Sequence, residues 1–66
     1  MKISKNKFIV ASTYNPIEFW EEDYGSDEDI MRAILYDTQE EAENDIKKCD
    51  DPDFWKVMPL EIIYRF

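Results

Sequence analysis

The sequence predicts a small α+β domain: a three-stranded, mostly antiparallel sheet with one helix on one face, in the order β-β-α-β. Three observations carry this. Segments rich in β-branched and aromatic residues lie near both ends, Lys7 to Tyr14 and Phe54 to Arg65. Between them, Thr38-Gln39-Glu40-Glu41 has the spacing of a capping box before a helix. The length, 66 residues, suits a single domain over residues 1–66.

The elements follow in order. Lys7 to Tyr14 reads as a strand apolar on both faces, with Phe8 and Val10 on one and Ile9 and Ala11 on the other. Asn15-Pro16 marks a turn. Ile17 to Ser26 is acidic and aromatic and closes on Gly25-Ser26, a loop signal. Residues 27–33 fit two readings. Ser26 and Asp29 have the spacing of a capping box before a short helix. Met31 to Tyr36 also reads as a strand, and the strand is preferred because Ile34-Leu35-Tyr36 runs straight into the clearer helix start at Thr38.

The helix is expected from Gln39 to about Cys49, capped by Thr38. Ala42, Ile46 and Cys49 recur at helical spacing. Glu43 and Lys47 form an i,i+4 pair, and acids in the first turn with Lys47 and Lys48 in the last suit the helix dipole. Asp51-Pro52 ends it. In the last strand the apolar phase shifts once, from Trp55 and Val57 to Leu60, Ile62, Tyr64 and Phe66. Met58-Pro59 sits at the break, which suggests a bulge or an edge position. One helix cannot cover both faces of such a sheet. The second face needs the Ile17–Tyr24 segment folded back over it, or a second copy of the chain in a homodimer.

Composition narrows the chemistry. There is no histidine, so no histidine base or triad is available. A single glycine excludes glycine-rich phosphate loops, and one cysteine without histidine provides no zinc site. Asp23 to Asp29 lacks the ligand order of an EF-hand. The expectation is a protein that is not an enzyme, with no catalytic residues, metal or cofactor. Cys49 alone forms no intramolecular disulfide. No apolar run approaches a membrane span, and the basic start lacks an adequate apolar segment after it. A cytoplasmic location is expected.

Charge is the positive signal. Sixteen acidic residues stand against eight basic ones, a formal net charge of -8. Seven carboxylates fall between Glu18 and Asp29 without a cation, and eight more between Asp37 and Asp53 against Lys47 and Lys48. Such a surface attracts basic partners and repels nucleic acid and anionic membranes. Closely spaced carboxylates on a rigid body can also imitate nucleic-acid phosphates, which occur every ~1.7 Å of duplex axis. The candidate partner-binding residues are Glu21, Glu22, Asp23, Asp27, Glu28 and Asp29, with Trp20 or Tyr24 as aromatic anchors. Glu40, Glu43, Asp45, Asp50 and Asp51 form a second candidate surface.

In size, acidity, lack of cysteine pairs and the strand-to-capped-helix segment Leu35-Tyr36-Asp37-Thr38-Gln39-Glu40-Glu41-Ala42-Glu43, the chain resembles small phage-encoded inhibitors of the DNA-mimic anti-restriction and anti-CRISPR types. The resemblance is one of fold type and composition and transfers no functional residue. It implies a non-enzymatic inhibitor in the cytoplasm of a bacterial host, bound to a basic nucleic-acid-binding protein or complex. The alternative is a small acidic interaction module or antitoxin-like subunit that mimics nothing.

Overall fold

The first and last strands pair along their whole length and form the spine of the molecule. The computed structural model describes residues 1–21 and 25–66. β1 (Lys2–Ser12) and β4 (Trp55–Arg65) run antiparallel in an unbroken register from Lys2↔Arg65 to Ser12↔Trp55. Eleven residues at ~3.4 Å each make strands of ~37 Å. They must therefore lie along the longest of the three molecular dimensions, 43 × 24 × 20 Å.

The sheet has four strands in the order β3-β2-β1-β4, not the three expected. With β2 (Phe19–Trp20), β3 (Ser26–Asp27) and α1 (Gln39–Lys47), the chain order is β-β-β-α-β. Among the described residues of the acidic-aromatic segment, Phe19 and Trp20 form a strand of the sheet. This strand adds beside β1, pairing Phe19 with Ala11 and then with Asp27. Ser12 anchors this return. Its buried hydroxyl donates to the Tyr14 carbonyl and accepts from the Glu18 amide, both at 3.0 Å. The peptide between Asn15 and Pro16, in the expected turn, is cis.

The expected strand from Met31 to Tyr36 is also corrected. Asp29, not Ser26, caps a 3₁₀ turn over Ile30–Arg32, and its carboxylate accepts the Met31 amide at 2.9 Å. Only isolated bridges follow, Glu21↔Ala33 and Phe8↔Tyr36. An Asx-type cap two residues before its donor closes more locally than the longer Ser26 box, and the turn it holds over Ile30–Arg32 leaves too few extended residues for a strand.

The helix start is as expected: the Thr38 hydroxyl accepts the Glu41 amide at 3.2 Å. The helix ends at Lys47, and Cys49 lies just beyond the C-cap Lys48. The expected Glu43–Lys47 pair is absent from the ion pairs among the described residues. Glu43 accepts from the Gln39 side chain at 3.0 Å instead. Ala42 and Ile46 are the buried residues of α1. They join Val10 and Tyr36, with Phe8, Trp20, Ile34, Trp55 and Val57 packed around them.

Pro59 occupies an edge, and no bulge interrupts the register. Its partner Phe8 exchanges both backbone hydrogen bonds with Tyr36, at 2.9 and 2.8 Å, so Phe8 and Pro59 form a non-hydrogen-bonded pair. The backbone of Pro59 therefore faces the open edge of β4, where its missing N–H costs nothing. The apparent phase shift has a separate cause. α1 covers the sheet only around Val10, Trp55 and Val57, and beyond it the opposite face carries the half-buried Leu60 and Ile62.

Candidate functional site

Past the helix, residues 2–6 and 61–65 form a two-stranded ribbon, exposed except at the half-buried Ile62. Pairing the two ends of the chain gathers Lys2, Lys5 and Arg65 there, with Glu61 as the one acidic side chain. The other acids belong to the body. A sequence read linearly shows acid clusters; only the β1–β4 register shows that three of the eight cations are gathered on the ribbon.

Most of the described acids in the first acidic segment are engaged by their own structure. Arg32, carried back by the 3₁₀ turn, reaches Glu21 at 3.2 Å and Asp27 at 3.8 Å. Asp27 also accepts the Asp29 amide at 2.8 Å, while Asp29 caps the turn. Trp20 is half-buried against the core, its ring 5.4 Å from that of Trp55. Its position is that of a core residue more than of an exposed anchor. Glu28 is exposed. Glu22, Asp23 and Tyr24 lie outside the described residues.

The second candidate surface stays open. Glu40, Glu43, Asp50 and Asp51 are exposed, with Glu41 and Asp53 beside them in sequence and also exposed. Among the described residues no ion pair reaches any of these six. Asp45 differs: it is half-buried and accepts the Tyr36 hydroxyl at 2.9 Å.

Asp37 is paired. The Lys7 ammonium donates to its carboxylate and joins the end of β1 to the entry of α1. That hydrogen bond holds the Asp37 carboxyl below its ordinary range and raises the Lys7 ammonium above its own.

Between the β2 end, the 33–36 segment and the last turn of α1 lies a cleft of about 410 Å³. Trp20 and Glu21 form one wall and Ile34 and Tyr36 another, while Asp45, Lys48 and Cys49 close it from the helix side. Sequence analysis singled out Trp20, Glu21 and Asp45 for their charge or aromaticity alone. It did not join them to Tyr36, Lys48 or the free thiol of Cys49, since no spacing along the chain brings these together. No group of His, Cys, Asp and Glu among the described residues is arranged to hold a metal ion. No helix among them is long and apolar enough to cross a membrane. Comparison with protein-family models, curated proteins and solved structures finds no match.

Proposed function

We propose that this chain is a non-enzymatic inhibitor. It binds a basic, nucleic-acid-binding surface of a bacterial defence or nucleic-acid-processing protein and occludes it by presenting carboxylates in place of phosphates. The observation that carries this reading is the exposed acid surface of α1 and the segment after it. Glu40 and Glu43 on a helix fixed to the sheet, and Asp50 and Asp51 just after it, stand there without ion-pair partners among the described residues. Fixed charges meet a cationic groove without the entropy cost of ordering a flexible acidic tail. Of the described acids in the Arg32-linked segment, Glu28 is exposed, while Glu21, Asp27 and Asp29 have partners within the protein.

The test is capture from a bacterial lysate at low and high salt, followed by competition. Capture should weaken steeply with ionic strength. DNA or RNA should displace the protein from the captured target. Replacing Glu40, Glu43, Asp50 and Asp51 by Gln and Asn should weaken binding without unfolding the domain. A target that holds nucleic acid and this protein together, with no loss of affinity for either, rules out occlusion.

A second reading, an interaction module docking through apolar contacts, draws on the ribbon. Ile3, Ile63, Tyr64 and Phe66 are exposed there. Binding through them would be nearly insensitive to salt.

A further inference from the structure

We propose that the outer edge of β4 pairs antiparallel with β4 of a second copy of the chain, about a two-fold axis at Ile63. β4 is the last strand of the sheet, and among the described residues nothing pairs with its outer side. Its even-numbered residues bond inward to β1, a pattern that the Phe66 amide continues to the Met1 carbonyl at 2.8 Å. The odd-numbered ones turn their N–H and C=O groups outward. Pro59 has no N–H to offer, so the stretch that can pair without loss runs from Leu60 to Phe66. α1 packs over Trp55 and Val57 and leaves that stretch clear. It bears Ile63, Tyr64 and Phe66, all exposed, and an open edge of this kind is a template for a further strand.

Charge and side-chain pairing select a second copy as the occupant. In the register centred on Ile63, Glu61 faces the partner's Arg65 and Arg65 faces the partner's Glu61. On the sheet face away from α1, Ile62 meets the partner's Tyr64 and Leu60 meets the partner's Phe66. These pairs occupy non-hydrogen-bonded positions, where side chains come closest. Neighbouring registers lose the match. Centring on Ile62 sets Pro59 against the partner's Arg65 and forfeits a hydrogen bond at each end. Centring on Glu61 sets two carboxylates face to face, and centring on Tyr64 sets Ile63 against the partner's Arg65. The single chain also leaves its ribbon charges unbalanced. Lys2 and Arg65 stand directly opposite each other, an unfavourable like-charge pair, and no ion pair among the described residues reaches them or Glu61. Dimerisation brings the partner's Glu61 to the other side of Arg65. The two-fold axis closes the contact at two chains. It places both copies of α1 on one face of a continuous sheet, at opposite ends, with their acid surfaces free.

The test is sedimentation across concentration, with amide hydrogen exchange on the same samples. The chain should pass from monomer to dimer as its concentration rises to the millimolar range. The amides of Glu61, Ile63 and Arg65 should gain protection with concentration, and that of Val57 should not. Two molecules 43 Å long that overlap over ~24 Å of strand should show a longest dimension of about 62 Å in X-ray scattering. Ile63→Pro removes an outward N–H and no bond to β1, as Pro59 already does. It should abolish the dimer and leave the monomer folded by circular dichroism. Glu61→Arg and Arg65→Glu leave the backbone alone. Each should weaken self-association roughly tenfold, because symmetry makes every like-charge pair count twice. Mixed together, the two variants should associate with each other, since each then faces its opposite charge. A chain that stays monomeric at millimolar concentration overturns the proposal. So does a dimer that survives Ile63→Pro, or a pair of charge variants that fail to recognise each other. Glu40, Glu43, Asp50 and Asp51 take no part, so the outcome is separate from that of the capture experiment.

Discussion

Ile46→Ala tests how the acid-bearing helix is held. α1 buries two residues, Ala42 and Ile46, and only Ile46 is large. It is 8% exposed and packs in the cluster with Val10 and Tyr36. Truncation to alanine removes three carbons at ~0.8 kcal/mol each, or about 2.4 kcal/mol of transfer free energy. A cavity term ordinarily adds to this and places such substitutions at ~2–5 kcal/mol. Here it should be small, because an open groove lined by Glu43, Lys47, Trp55 and Val57 runs beside Ile46 and lets its surroundings relax. The expected loss is about 2.5 kcal/mol. A chain of this size has total stability of only ~3–10 kcal/mol, so this is a large fraction. With a urea slope of ~1 kcal/mol per molar, the midpoint should fall by about 2.5 M. The assay is urea unfolding followed together by far-UV circular dichroism and tryptophan fluorescence, since Trp20 and Trp55 pack on the same cluster. Ile46→Val should cost ~1 kcal/mol. A loss under 1 kcal/mol for the alanine variant would mean that Ile46 does not hold the helix and that the burial argument is wrong.

Two further outcomes follow from local contacts. Thr38→Ala removes the acceptor of the Glu41 amide and should cost about 1 kcal/mol, with Thr38→Ser close to wild type, as read from denaturant melts. The Lys7–Asp37 pair should shape stability against pH. Asp37 titrates below its ordinary pKa, so its contribution is complete above that value and is lost as pH falls through the depressed one. Lys7 titrates above its ordinary pKa, so its contribution is complete below that value and is lost as pH rises through the raised one. Asp37→Asn should flatten both limbs of the urea midpoint plotted against pH, and an unchanged profile would show that the pair contributes nothing.

Features set by neighbours in sequence were legible in the sequence. The Thr38 cap needs only the next three residues, and the alternation of Phe8 and Val10 against Ile9 and Ala11 needs only the strand itself. What depended on distant partners was not legible. Strands of two residues, Phe19–Trp20 and Ser26–Asp27, carry no periodic signal and exist because β1 offers the first an edge and the first then offers one to the second. Lys2, Ser4, Lys5 and Asn6 have no apolar alternation, and the long β4 draws them into a strand. The candidate site divides in the same way. The exposed acids of α1 could be placed from helical spacing. Arg32 lies three residues past an apparently cation-free run, and only the 3₁₀ turn brings it back onto Glu21 and Asp27. The cleft was invisible because its walls come from three separate segments.

The position of the cations on the β1–β4 ribbon also governs how far they matter. At physiological ionic strength the screening length is ~8 Å, and the molecule is 43 Å long. The far end of the ribbon, with Lys2 and Arg65, lies beyond a screening length from most of the body, so these two cations do little to neutralise the carboxylates there. In contact the molecule behaves as two independently charged objects on one rigid rod, and its net charge understates the field at the acid end. In dilute buffer the rod instead acts as a single dipole. A cationic surface then exerts a torque on it before contact, turning the helix end forward and the ribbon away.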